Sequence, residues 1–81
     1  MIKIVFEPEK NRSAAYDGEK CIGQCVYTIH DSIWTIVHTE VDSNYGGQGI
    51  ARKLVNQVIQ EARNQNVKVD ATCSYAKKVL V

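Results

Sequence analysis

The sequence predicts one small α/β domain of the α+β kind: a mixed, mostly antiparallel sheet with one long helix packed on it and a short C-terminal helix. Three observations lead there. The first half alternates β-branched and aromatic segments with two turn dipeptides, Asp17-Gly18 and Asp31-Ser32. A continuous apolar stripe then repeats at helical spacing from Ile50 to Ala62. A short apolar run, Val67 to Val69, follows and brings the chain back to the sheet.

Taken in order, Ile2 to Phe6 is a first strand closed by Glu7-Pro8-Glu9, where proline removes a ladder donor. Arg12 to Asp17 and Lys20 to His30 flank Asp17-Gly18, a two-residue hairpin signal because both turn positions favour positive φ. Strict alternation puts Cys21, Gly23, Cys25, Tyr27 and Ile29 on the expected core face of the second of these strands. Asp31-Ser32 turns the chain into Ile33 to Val41. Alternation there sets Ile33, Val37 and Val41 against Trp34, Ile36, His38 and Glu40, so both faces carry apolar bulk, as in a covered central strand. The helix runs from about Gly49 to Asn66. Ile50, Leu54, Val58 and Ala62 recur at steps of four beside Ala51, Val55 and Ile59, with Arg52, Lys53, Asn56 and Gln60 on the wet side. Ser74 to Leu80 is compatible with a short last helix.

An 81-residue chain supports one domain with a modest core, so a monomer or weak homodimer is expected. A net charge of +1 gives no broad electrostatic footprint for nucleic acid or membrane, and any basic site must be local. The apolar runs fall far short of the roughly 20 residues of a bilayer span, and no secretory leader is legible at Met1-Ile2-Lys3. The expected location is cytoplasmic. Three cysteines agree with a reducing compartment, since an odd count builds no disulfide framework. Cys21 and Cys25 lie about 13 Å apart along an extended strand, beyond disulfide reach, and are expected in the core. No metal site is expected.

Chemistry concentrates between His38 and Ala62. A strand end, His38-Thr39-Glu40-Val41, leads into Tyr45-Gly46-Gly47-Gln48-Gly49 and then into the long helix. Glycines let the backbone approach a ligand, and the N–H groups of the helix start point back at the loop. Arg52 and Lys53 stand in the first turn, where the helix dipole disfavours cations, so a nearby anion such as a pyrophosphate accounts for them. Spacing removes two nucleotide loops. Walker A requires G-x-x-x-x-G-K-[ST], which is absent, and the dinucleotide pattern G-x-G-x-x-G fails at its third glycine, where Arg52 stands.

The run that remains resembles the acyl-CoA loop of the GNAT superfamily of N-acetyltransferases, [QR]-x-x-G-x-[GA] between a strand and a helix. Gly46-Gly47-Gln48-Gly49-Ile50-Ala51 matches it from the fourth position on. His38-Thr39-Glu40-Val41, Tyr45 and Thr72-Cys73-Ser74-Tyr75 extend the likeness to about half the chain, in the minimal, single-domain branch. The first motif position, usually Arg or Gln, is Gly46 here: a side chain is lost while the backbone donors remain.

The resemblance implies acetyl-CoA (coenzyme A) as cofactor, bound by Val41, Gly46, Gly47, Gln48, Gly49, Ile50, Ala51 and Arg52. It implies a small-molecule or protein amine as acceptor, with the pantetheine arm pairing against the strand that ends at Val41. It also makes Cys73 a candidate catalytic residue. Acyl transfer to an amine needs a base for the ammonium proton and an acid for the departing thiolate. His38 or Glu40 suits the first role, and Cys73 or Tyr75 the second; alternatively Cys73 is itself acetylated. Against these stand ordinary roles: a hydrogen-bonded strand histidine, a buried thiol, a core tyrosine ring. The competing functional class is an acyl-CoA-binding or interaction module without turnover.

Overall fold

The computed structural model describes residues 2–71. The expected helix over Ser74 to Leu80, and Cys73 and Tyr75 with it, lie outside the described residues. Five strands form one sheet in the order β1-β2-β3-β4-β5. β1 (Ile2–Glu7), β2 (Arg12–Asp17), β3 (Lys20–His30) and β4 (Ile33–Val41) make an antiparallel meander. Helix α1 (Ile50–Asn64) then carries the chain to β5 (Lys68–Ala71), which pairs parallel with β4 over Ile33 to Ile36. Parallel neighbours need such a crossover, whereas antiparallel ones need only a tight turn. Among the described residues no helix is long and apolar enough to cross a membrane.

α1 covers one face of the sheet. Leu54, Val55, Val58 and Ala62 are fully buried, the expected stripe, against Ala15, Cys25, Tyr27 and Ile36. Small residues on β2 and β3 let the helix come close. Ser13 Oγ donates to the Leu54 carbonyl at 2.7 Å. A Cβ on Gly23 would sit 3.0 Å from the Glu40 carbonyl oxygen and 3.3 Å from Leu54 Cδ1. At one end of this layer Phe6, Tyr27 and Trp34 stack nearly parallel, the Tyr27 and Trp34 centroids 4.5 Å apart.

Two bulges correct the expected strand faces. Between β2 and β3 the pairing steps from Ala15↔Gly23 to Tyr16↔Cys21, so Ile22 has no counterpart. The extra residue reverses the alternation: Ile22 is buried and Cys21 is exposed. Cys25 keeps its core position. Ile29, beside the hairpin turn, is 52% exposed rather than core. Between β3 and β4 the pairing steps from Val26↔His38 to Tyr27↔Ile36, leaving Val37 unmatched. Trp34 and Ile36 therefore face the helix while His38 and Glu40 face the opposite side, contrary to the simple alternation. Asp17 pairs with Lys20, so the first hairpin turns at Gly18-Glu19, one residue later than expected, with Gly18 at φ +64. Asp31 and Ser32 make the second turn, both at positive φ.

Candidate active site

The end of β4 divides two surfaces. β5 pairs with β4 only as far as Ile36, so among the described residues the edge of β4 from Val37 to Val41 carries no neighbouring strand. The chain continues through Asp42, whose Oδ1 accepts from the Asn44 amide at 2.9 Å and starts a single 3-10 turn, Ser43–Tyr45. The Asp42 amide donates to the Ile22 carbonyl at 2.7 Å, fixing this corner to β3. Tyr45 Oη donates to Asp17 Oδ2 at 2.5 Å, tying the glycine loop to the β2–β3 hairpin. The bond holds the Asp17 carboxyl below its ordinary range and the Tyr45 phenol above its own.

Beyond Tyr45 the backbone opens into a concavity of about 230 Å³, lined by Val41, Tyr45, Gly46, Gly47, Gly49, Ile50 and Ala51. Gly47 and Gly49 stand at φ +80 and +71, a region L-residues enter only at a cost, and a Cβ on either would meet no atom within 4 Å. Open space therefore lies directly over both glycines. Gly49 is the N-cap of α1 and brings no side-chain cap, and the first turn holds no acidic residue. The amides of a helix's first turn lack intrahelical acceptors, so this one offers its N–H groups to an external anion. Gln48 and Arg52 are exposed beside the concavity without lining it.

The other surface is the sheet face away from α1. There Glu40, Gln24 and Arg12 lie side by side on β4, β3 and β2 with Val41, Asp42 and Cys21, around a second cleft of about 290 Å³. His38 Nε2 is 3.2 Å from Glu40 Oε2. Gln24 Nε2 donates to Glu40 Oε1 at 2.7 Å. These two contacts, Gln24 first and His38 second, hold the Glu40 carboxyl below its ordinary range. The two cavities share Val41. One offers backbone amides and the other the Glu40 carboxylate, which His38 approaches from outside the cleft, the two separated by the strand end. Among the described residues no group of three or more His, Cys, Asp or Glu is placed to hold a metal ion.

The structure brings His38, Glu40, Val41 and the glycine loop to the same strand end. Arg12, Gln24 and the Asp17–Tyr45 tie had no signal in the sequence, because polar residues at alternate strand positions read as a solvated face until register pairs them.

Residues 12–81 match the family described as GCN5-related N-acetyl-transferase. Among solved structures, the chain is similar to a GCN5-like protein from Staphylococcus aureus determined by NMR in solution, with 34% identity and a TM-score of 0.74 over 96% of this chain and 76% of that one. It is similar in fold to the ribosomal-protein-S18-alanine N-acetyltransferase of Escherichia coli: 18% identity, TM-score 0.71, 85% of this chain and 48% of that one. A GCN5-related N-acetyltransferase from Sphaerobacter thermophilus gives 20% identity and a TM-score of 0.70 over 76% of this chain and 21% of that one. The chain thus spans less than half of each of these last two proteins. No curated protein sequence matches it.

Proposed function

The chain belongs to the GCN5-related N-acetyltransferase family, and we propose that it moves an acetyl group from acetyl-CoA to an amine. The observation that carries this reading is the meeting of two unlike cavities at Val41, an anion cradle on one side of the β4 end and, on the other, a cleft lined by Glu40, whose Oε2 lies 3.2 Å from His38 Nε2. When bound, acetyl-CoA supplies an acetyl group already activated as a thioester. The residues present fit it: amides of the α1 first turn and the Gly46–Gly49 loop for the pyrophosphate, with Arg52 beside them, and the edge of β4 from Val37 to Val41, which no described strand covers, for an amide-bearing arm.

The chain's own work is positioning and proton transfer. His38 Nε2 lies 3.2 Å from Glu40 Oε2, and with the proton on that nitrogen Nδ1 is the acceptor for the proton an attacking amine must lose. Glu40 holds that tautomer and offsets the charge the imidazole acquires, as a carboxylate does beside a catalytic histidine. Val41 closes the space between amine and cradle. The proton for the departing thiolate comes from Cys73 or Tyr75, in the segment outside the described residues. The acceptor is an amine small enough, or a protein terminus or side chain slender enough, to enter the sheet-face cleft.

Thermal melting with acetyl-CoA tests the cofactor half of this proposal. A ligand bound only by the folded state stabilises it by about 2.7 kcal/mol at a hundredfold excess over Kd. For a domain of this size that raises Tm by roughly 10–20 °C. An unchanged Tm at millimolar acetyl-CoA would rule out the cradle.

A further inference from the structure

The sheet face away from α1 carries a chain of hydrogen bonds that crosses four strands and ends at Glu40. Arg12 on β2 donates Nε–H to Glu7 Oε1 of β1 at 2.7 Å, and Tyr16 Oη donates to Glu7 Oε2, also at 2.7 Å. Both oxygens of Glu7 are thereby engaged. Arg12 Nη2 reaches Tyr16 Oη at 3.4 Å, over Ala14, which lies between them on β2 and is fully buried. The remaining arm of the guanidinium donates Nη1–H to Gln24 Oε1 on β3 at 2.8 Å. An amide whose oxygen accepts from arginine must turn its NH₂ the other way, and here that NH₂ meets Glu40 Oε1 on β4. Glu40 then has Oε2 left for His38.

The order of the partners fixes the direction of every bond. Arg12 has no acceptor atom, so Gln24 cannot flip without setting its NH₂ against the guanidinium. Arg12 cannot swing away without taking the guanidinium from Glu7 Oε1, although Glu7 Oε2 would keep Tyr16. Glu40 itself is 56% exposed at its side chain and on its own would sample several rotamers. We propose that Gln24, clamped by Arg12, is a positioning residue for acyl transfer, selecting the Glu40 rotamer that pairs with His38, so that the active site is braced from the edge strand β1. This inference rests on the reading of His38 and Glu40 as the proton-accepting pair.

Three variants separate the role. Gln24→Leu removes both bonds, Gln24→Glu keeps the Arg12 contact while losing the donor to Glu40, and Arg12→Met releases the clamp. Two readouts on the free protein are independent of turnover: the NMR titration of the Glu40 carboxyl and the ¹⁵N shifts of the His38 imidazole, which report its tautomer. The third readout is CoA thiol release from acetyl-CoA with the best of a panel of primary alkylamines. The expected result is that Gln24→Leu and Gln24→Glu raise the Glu40 midpoint, mix the His38 tautomers and lower kcat roughly tenfold with little change in the KM for acetyl-CoA. Arg12→Met shows the same pattern, more weakly. A Glu40 titration unchanged in Gln24→Leu overturns the proposal, and so does a Glu40 midpoint that moves while kcat stays fixed. If His38→Gln and Glu40→Gln also leave the rate unchanged, or if the wild type turns over no amine of the panel, the underlying reading of the pair falls and the proposal with it. Slow turnover in His38→Gln with normal turnover in Gln24→Leu sinks the positioning role alone.

Discussion

Replacing Gly23 by Ala tests the packing that sets the β4 end. Gly23 lies in ordinary backbone conformation, so alanine carries no φ penalty there. Its constraint is space: the new Cβ would meet the Glu40 carbonyl oxygen at 3.0 Å, Leu54 Cδ1 at 3.3 Å and Val41 Cγ2 at 3.3 Å. The first neighbour is backbone in the β3–β4 ladder, and the second is a fully buried helix residue. The carbonyl cannot yield without shifting the β4 backbone, and the Leu54 methyl must give by a few tenths of an ångström inside a packed core. Overpacking of this kind costs about 1–3 kcal/mol. Taking about 2 kcal/mol, Tm falls by roughly 8–16 °C, followed through Trp34, the only tryptophan. Gly18→Ala is the contrast, since Gly18 stands at φ +64 with nothing within 4 Å of the added Cβ. It meets only the backbone penalty, about 1 kcal/mol. The displaced Glu40 and Val41 should make Gly23→Ala lose turnover beyond its loss of stability, while Gly18→Ala keeps it. A Gly23→Ala protein with wild-type Tm, or one destabilised less than Gly18→Ala, would refute the account of close approach.

Three further predictions concern the loop and the last segment. Tyr45→Phe breaks the tie to Asp17. Because the Asp17 carboxyl is held low in the folded protein, the wild type's advantage over Tyr45→Phe is full above the ordinary aspartate range and disappears as pH falls through the lowered value. A Tm difference that persists unchanged in strong acid would contradict this. Gly46→Arg should fold normally, since Gly46 has φ −62 and its Cβ would lie 3.5 Å from the Ser43 carbonyl oxygen, an ordinary contact. Calorimetry should show it binding acetyl-CoA more tightly, about tenfold for a gain of 1.4 kcal/mol. Cys73→Ala should slow transfer without abolishing it and, as in the wild type, show no hydroxylamine-labile acetyl group after incubation with acetyl-CoA; a stable acetyl adduct on wild-type Cys73 would instead make it the nucleophile.

Strand identity, the meander and the helix stripe were legible because each rests on local periodicity. What local periodicity cannot carry is an inserted residue. Ile22 and Val37 look like any other strand positions, yet each reverses the alternation beyond it. Val37 decides the site, since without that bulge His38 and Glu40 would point into the core beside Trp34 and Ile36. The same limit hides the polar chain from Glu7 to Glu40, whose members are far apart in sequence and meet only through register. The glycine loop was visible as a motif, but the reasons for its glycines differ. Gly47 and Gly49 are required first by their positive φ, so any substitution there perturbs folding along with binding. Gly46 requires neither space nor conformation, which makes it the cleaner probe.

The most direct test of acyl transfer follows CoA thiol release from acetyl-CoA across a panel of amines, with the product identified by mass spectrometry. Amine-dependent release with the acetylated amine as product, reduced in His38→Gln, is the predicted result. Saturable binding of acetyl-CoA with no thiol release from any amine would contradict it and make the chain an acyl-CoA-binding module.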